Sequence, residues 1–165
     1  MRISLRPDKL YQCYTDVTAT SLQESGIRLL LCDLDYTLAP RSQKEPDEKV
    51  HRWIRALAAA GITVMILSNN RNSQRVETFC SNLGIGYVGR AGKPKPGGYR
   101  RAMRKMGIRP CETAVLGDKL LTDILGANLA GCRALMVEPL GGPVGAWNHV
   151  LHFLQRPVKA MRRER

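Results

Sequence analysis

Two aspartates, Asp33 and Asp35, stand one residue apart directly after the short apolar segment LLLC at residues 29–32. A carboxylate pair of this kind can help to hold a divalent cation. One carboxylate can also attack a phosphorus atom, while the other transfers protons to the leaving group and from water. Taken alone, the pair is more typical of a turn in which aspartates accept hydrogen bonds from backbone amides. Polar residues elsewhere in the chain decide between these two interpretations.

Three later apolar segments are also followed by polar side chains. These are Ser68 and Asn69 after residues 62–67, Lys93 after residues 85–88, and Asp118 with Asp123 after residues 113–116. The combined set suits phosphoryl transfer assisted by magnesium. Mg²⁺ usually takes one or two carboxylates together with substrate phosphate and water. A lysine neutralises charge on the transferring group and on the crowded carboxylates.

These residues can meet only if the fold brings the ends of several strands together. Predicted strands cover residues 27–33, 62–67, 85–88, 113–116 and 133–137, and predicted helices cover residues 46–60, 74–83, 99–106 and 120–130. Such alternation is typical of a parallel sheet with helices on both faces. Right-handed crossovers bring the carboxyl ends of all strands to one edge, where open α/β sheets bind ligands. The sequence therefore predicts an α/β, Rossmann-like, three-layer α/β/α fold.

Four segments, in this order, resemble the motifs of the haloacid dehalogenase (HAD) superfamily of phosphatases. They are DLDYTL at residues 33–38, SNN at 68–70, KP at 93–94 and GDKLLTD at 117–123. Their spacing and flanking phrases resemble the YqeG branch of class IIIA, which is similar to phosphatidylglycerophosphate phosphatases. The likeness covers roughly residues 6–140 and implies a phosphatase on the HAD fold.

The resemblance implies a role for each motif residue. Asp33 is expected to be the nucleophile, and Asp35 the general acid and base. The residues expected to hold the phosphate or support its loop are Thr37, Ser68, Asn69 and Lys93, and those expected to bind Mg²⁺ are Asp33, Asp35 (through its carbonyl), Asp118 and Asp123. Lys95 is an alternative to Lys93, because the loop reads KPKP. Tyr36 stands where the branch more often has asparagine, so it is expected to shape substrate access.

The intervals between motifs predict a site without a cap domain. Residues 36–67 and 69–92 each have room for one helix and one strand, but not for a further domain. An open site suits a phosphate presented by something large, and the resemblance favours phosphatidylglycerophosphate. A protein, nucleotide or sugar phosphate is the alternative substrate. A basic RNA- or ribosome-binding module on the same fold is the alternative of another class.

Composition limits the cellular setting. The chain has 165 residues, a net charge of +12 and five dispersed cysteines. No apolar stretch approaches the roughly 20 residues of a membrane-spanning helix, and residues 1–16 lack the apolar core of a secretory signal. Dispersed cysteines in odd number favour a reducing compartment. We therefore expect a cytoplasmic protein, with peripheral contact to the inner face of a membrane as the alternative.

The positive charge is concentrated in two segments. Residues 90–109 hold eight basic residues and no acid, and residues 156–165 hold five basic residues. Such segments favour an anionic partner, here a phosphorylated substrate at an anionic membrane surface, with contact through the basic C-terminus. Nucleic acid is disfavoured because the chain shows no array of aromatic residues for base stacking. We expect a single domain with a core at about 27–140, a lead-in at 1–26 and a basic helix and tail at 143–165.

Overall fold

The computed structural model describes residues 3–71 and 73–142. The strands are β1 (Lys9–Tyr11), β2 (Leu29–Cys32), β3 (Thr63–Leu67), β4 (Gly86–Val88), β5 (Thr113–Gly117) and β6 (Arg133–Val137). The α-helices are α1 (Ala19–Glu24), α2 (Glu48–Ala59), α3 (Ser73–Leu83), α4 (Gly97–Met106) and α5 (Leu125–Ala130). The basic helix and tail predicted for 143–165 lie outside the described residues.

The six strands form one parallel sheet in the order β1-β6-β5-β2-β3-β4. The predicted α/β fold is therefore confirmed. Strand β2 lies between β5 and β3, and Leu31 pairs with Val115 on one side and Met65 on the other. All four residues of β2 are buried, as expected for a central parallel strand that is covered on both faces.

Two hydrophobic layers cover the two faces of the sheet. Because side chains alternate along a strand, Leu30 packs with Trp53 of α2 and Phe79 of α3. Its neighbour Leu31 belongs to the other layer, which contains Tyr99 of α4. Helix α2 begins after Asp47, whose side chain accepts a hydrogen bond from the backbone amide of Val50, a common N-terminal cap.

The lead-in segment contributes more to the fold than the sequence predicts. Strand β1 adds an edge strand beside β6, and Tyr14, Val17 and Leu22 are buried. The indole nitrogen of Trp53 donates a hydrogen bond to the carbonyl of Val17. A strand of three residues is too short to show a clear alternating pattern, so β1 cannot be recognised from the sequence.

The helix predicted at 120–130 is divided in the structure. Residues Leu120–Ile124 form a π-helical turn, and the α-helix proper begins at Leu125. Insertions of this kind are frequent at functional sites. The wider turn carries Asp123, whose carboxylate accepts a hydrogen bond from the amide of Lys119. The turn therefore keeps Asp123 at the end of β5.

The intervals between the motif strands contain only loops and single helices. A loop and α2 connect β2 to β3, and α3 connects β3 to β4. Within residues 3–71 and 73–142, no cap domain covers the carboxyl edge of the sheet. Among these residues, none of the helices combines the length and the apolar composition of a membrane-spanning segment.

Candidate active site

Three adjacent strands deliver the motif residues to one edge of the sheet. Asp33 follows β2, Ser68 follows β3 and Asp118 follows β5, and all three are buried. Backbone pairing continues past the strand ends. The amide of Asp33 donates to the carbonyl of Leu116, and the amide of Ser68 donates to that of Val88. The polar residues are thus held by the same hydrogen bonding that builds the sheet.

Lys93 lies at the centre of the site. Its Nζ atom is 2.8 Å from Oδ1 of Asp33 and 2.7 Å from Oδ1 of Asp123. Burial opposes its positive charge, but Asp123 and Asp33 raise the pKa of Lys93 above its usual range. Lys95 is exposed. The structure thus brings Lys93, and not Lys95, to the carboxylates.

Asn69 fixes the loop that carries Lys93. Its side chain donates to the carbonyl of Lys93 and accepts from the amide of the same residue, at 3.0 and 2.8 Å. The peptide bond between Lys93 and Pro94 is cis. Asn69 therefore contacts the lysine loop through its side chain, while its predicted contact with phosphate, through its backbone amide, stays a prediction.

Asp33, Asp118 and Asp123 form an acidic triad. Each offers a carboxylate oxygen, and these oxygens lie within 4.8 Å of one another. The glycine of β5 makes room for this approach, because a Cβ atom at Gly117 would collide with the carboxylate of Asp123. Three hard oxygen ligands at this spacing fit a divalent cation.

The pKa values of the three carboxyl groups in the triad are shifted in different directions. Burial raises the pKa of a carboxyl group, but at Asp33 the charges of Lys93 and Lys119 outweigh it and lower the pKa below the usual range. Burial, followed by repulsion from Asp33, raises the pKa of Asp118 to about 7. Burial also raises the pKa of Asp123, although Lys93 opposes the shift. Of these three carboxyl groups, Asp33 is the one whose pKa is lowered, so its surroundings favour its ionised form.

Asp35 lies apart from the triad and contacts basic residues. Its Oδ1 atom is 2.6 Å from Nη1 of Arg75, and its Oδ2 atom is 3.3 Å from Nε of Arg41. The side-chain amide of Asn70 is 3.4 Å from Oδ2. The predicted role of its backbone carbonyl as a metal ligand stays a prediction.

The two hydroxyl residues of the motifs occupy different places. Thr37 donates a hydrogen bond of 3.3 Å to Oδ1 of Asp118, which puts it against the acidic triad. The Oγ atom of Ser68 accepts a hydrogen bond from the amide of Asn70. Accepting this bond leaves the hydroxyl hydrogen of Ser68 for donation to a phosphoryl oxygen.

Three basic residues of the site, Lys119, Arg75 and Arg41, were not identified from the sequence. Nζ of Lys119 is 3.0 Å from Oδ1 of Asp118 and 3.7 Å from Oδ2 of Asp33, and it lies 5.9 Å from the centre of the Tyr36 ring. Its position next to Asp118 at the end of β5 is a signal that could have been used. Arg75 gave no comparable signal, because its contact with Asp35 depends on the direction of α3.

The geometry of the site and the similarity of the sequence to known proteins indicate the same family. The profile of the haloacid dehalogenase-like hydrolases matches residues 10–131. The chain belongs to this superfamily. It is 33% identical to the "Probable phosphatase YqeG" of Bacillus subtilis over 139 residues, which are 84% of this chain and 80% of that protein. The predicted HAD phosphatase family is confirmed.

Two further comparisons agree with this assignment. A 47-residue segment is 45% identical to phosphoserine phosphatase of Thermus thermophilus, and it spans 28% of this chain and 19% of that enzyme. The fold is similar to that of 3-deoxy-D-manno-octulosonate 8-phosphate phosphatase from Moraxella catarrhalis, whose crystal contains magnesium, phosphate and the sugar. That match has a TM-score of 0.57 and 20% identity, and it covers 85% of this chain and 92% of that one. The structural match agrees with the fold, and the family profile together with the similarity to YqeG identifies the chain as a HAD phosphatase.

Proposed function

We propose that this HAD phosphatase is a magnesium-dependent phosphomonoesterase that works through an aspartyl-phosphate on Asp33. The observation that supports this most directly is the contact of one buried carboxylate with two lysines. Lys93 and Lys119 hold Asp33 in its ionised form, which is the form that attacks phosphorus. The same lysines reduce the repulsion between this carboxylate and an incoming phosphate dianion.

The proposed reaction has two steps. In the first, a carboxylate oxygen of Asp33 forms a bond to phosphorus while the bond from phosphorus to the ester oxygen breaks, and Asp35 gives a proton to the departing alkoxide. In the second, Asp35 takes a proton from water, the resulting hydroxide attacks phosphorus, and the acyl phosphate bond to Asp33 breaks. The products are an alcohol and inorganic phosphate.

The acidic triad would hold the magnesium ion. Asp33, Asp118 and Asp123 supply the three carboxylates, and Thr37 orients one of them through its hydrogen bond to Asp118. When bound, Mg²⁺ supplies positive charge that offsets the negative charge of the carboxylates and of the transferring phosphoryl group. Ser68 is suited to donate its hydroxyl hydrogen to that group.

We propose phosphatidylglycerophosphate as the substrate, with phosphatidylglycerol as the product. Similarity to the YqeG branch supports this choice, as does the carboxyl edge of the sheet, which the described residues leave without a cap domain. Four basic side chains of α4 are also exposed: Arg100, Arg101, Arg104 and Lys105. Helix α4 follows the Lys93 loop directly, so this positive face lies on the same stretch of chain as the phosphate-bridging lysine.

The basic face of α4 supports peripheral contact with an anionic membrane. None of its four basic side chains forms an ion pair within the described residues, and each basic residue near such a surface contributes about 1 kcal/mol of attraction. Leu121, which follows the site residue Lys119 closely, is 48% exposed and offers an apolar contact. We propose that the enzyme meets its substrate at such a surface, on the cytoplasmic side.

A phosphate-release screen tests the proposed function. Phosphatidylglycerophosphate in mixed micelles is compared with soluble sugar, nucleotide and peptide phosphates, with Mg²⁺ and with EDTA. We expect magnesium-dependent release that is fastest from the lipid and absent in Asp33→Asn. Preference for a soluble ester would replace the lipid substrate, and unchanged turnover by Asp33→Asn would disprove the aspartyl-phosphate mechanism.

A further inference from the structure

A basic cleft opens beside the proposed general acid. It has a volume of about 450 Å³ and is lined by Arg41, Lys44, Glu45, Gln74, Arg75 and Thr78. Three of these residues are cationic and one is anionic, so the lining is positive overall. Binding sites for small ligands commonly have volumes of about 300–1,000 Å³, so the cleft can take part of a substrate.

Arg75 joins the two walls of this cleft. Its side chain is 9% exposed and extends from α3 to Asp35. Its Nη2 atom also donates hydrogen bonds to the carbonyls of Pro40 and Gln43, at 3.0 and 3.1 Å. These bonds hold the loop that carries Arg41 and Lys44 against α3. The backbone that frames the cleft is therefore held in place by the buried contacts of Arg75.

The cleft also offers hydrogen-bond donors on cationic side chains that are not engaged within the described residues. Arg41 forms an ion pair with Asp35 through Nε, and its two Nη atoms form no hydrogen bond or ion pair within the described residues. Nζ of Lys44 likewise has no hydrogen-bond or ion-pair partner in the described part of the chain. Exposed donors of this kind are suited to bind an oxyanion such as a phosphodiester or a carboxylate.

The position of Asp35 indicates which part of a substrate reaches the cleft. If Asp35 protonates the leaving oxygen, the leaving group must lie on its side of the phosphorus atom. Arg41 and Arg75 contact both carboxylate oxygens of Asp35 and also line the cleft. The cleft therefore lies on the Asp35 side of the site and is joined to it through these two arginines.

We propose that this cleft is a subsite for a second anionic group, carried by the leaving group a few bonds from the scissile phosphate. The inference rests on the proposed phosphatase function and extends it, because it assigns residues to substrate choice. It predicts that an alcohol bearing a phosphodiester or carboxylate is preferred over a neutral alcohol of similar size. The second anionic group would be bound by the cationic side chains of Lys44, Arg41 and Arg75.

The test compares three soluble substrates that share a glycerol unit. Glycerol 3-phosphate has a neutral leaving group, 3-phosphoglycerate carries a carboxylate, and deacylated phosphatidylglycerophosphate carries a phosphodiester. The ratio of kcat/KM values for charged over neutral substrate is measured for wild type and Lys44→Gln at low salt. We expect Lys44→Gln to lower this ratio about threefold to tenfold, in the range of a partly exposed charge pair. The matched control is Lys9→Gln, which removes one charge from exposed Lys9 on β1 at the distant edge of the sheet.

The outcomes separate the subsite from the chemistry. A ratio near one in wild type, or equal losses for charged and neutral substrates in Lys44→Gln, would overturn the subsite. A drop for only one of the two charged substrates would show which oxyanion is recognised. The dissociation constant of the deacylated lipid is also measured in Asp33→Asn with and without Lys44→Gln, so the subsite is tested by binding alone. Equal affinities there refute the subsite even if the phosphatase activity is established.

Discussion

Replacing Asp118 with asparagine should change how the stability of the metal-free protein depends on pH. Asp118 faces Asp33, Asp123 and Lys119 in a buried site, and its pKa in the folded protein is raised to about 7. Between pH 4 and 7 the folded state therefore binds this proton more tightly than the unfolded state does. Stability attributable to Asp118 falls as pH rises through that interval. Asp118→Asn lacks the titrating group and should not show this component of the fall.

The size of the effect follows from the difference in pKa. The ordinary value is 3.8 and the folded value is about 7, and one pKa unit corresponds to about 1.4 kcal/mol. Wild type should therefore lose up to about 4 kcal/mol relative to Asp118→Asn between pH 4 and pH 8. For a chain of this length, a loss of that size lowers Tm by roughly 10 °C.

Thermal unfolding in EDTA at several pH values measures this difference. Glu24→Gln is the control, because Glu24 is an exposed carboxylate on α1, and its removal should leave the pH dependence of wild type in place. Magnesium should raise the Tm of wild type at pH 8, because a ligand that binds the folded state stabilises it, and should act much less on Asp118→Asn. The reasoning is refuted if the difference in Tm between wild type and Asp118→Asn is the same at pH 5 and pH 8.

Two further predictions concern residues that support the site, and a third concerns the cysteines. Arg75→Met should lower kcat/KM more than tenfold for alkyl phosphates, because Arg75 contacts Asp35, the proposed proton donor to the departing alkoxide. The loss should be much smaller for p-nitrophenyl phosphate, because nitrophenolate leaves without a proton from Asp35. Arg75→Lys should recover part of the loss. Gly117→Ala should cost about 1–3 kcal/mol of stability through overpacking and should reduce phosphate release, because the added methyl group displaces Asp123. A thiol reagent at pH 8 should label two of the five cysteines rapidly in the native protein. Those two are Cys13 and Cys111, whereas Cys32, Cys80 and Cys132 are buried and have raised pKa values.

For each of these three predictions, a specific result would contradict it. Equal losses on both substrates would assign Arg75 a structural role only. Gly97→Ala is the control for Gly117→Ala, since a Cβ atom at Gly97 meets nothing within 4 Å; equal effects of the two changes would argue against a collision with Asp123. Rapid labelling of a third cysteine in the native protein would contradict the burial of the core thiols.

The site residues that could be predicted from the sequence are those at the ends of strands. Asp33, Ser68 and Asp118 each follow an apolar segment, and parallel strands must bring such positions to one edge. The choice between Lys93 and Lys95 could not be made in this way, because both lie in one loop and differ only in where the loop directs them. The structure resolves it through the contacts of Asn69 with the backbone of Lys93.

Other features depend on geometry that no local pattern contains. Arg75 reaches Asp35 across 40 residues of sequence, and only the packing of α3 against the sheet determines that contact. Strand β1 can be recognised only from its pairing with β6 in the structure. The π-helical turn at Leu120–Ile124 has the same apolar spacing as an ordinary helix, so the sequence predicts one continuous helix there.

The double contact of Lys93 also has a consequence for folding kinetics. Its ammonium joins Asp33, which is 60 residues away, to Asp123, which is 30 residues away. No short fragment of the chain contains all three groups, and contacts between distant residues form slowly. A refolding intermediate that has docked only one of these segments would lack a complete site. The return of phosphatase activity during refolding should therefore mark the last step of sheet assembly, later than the return of helical signal.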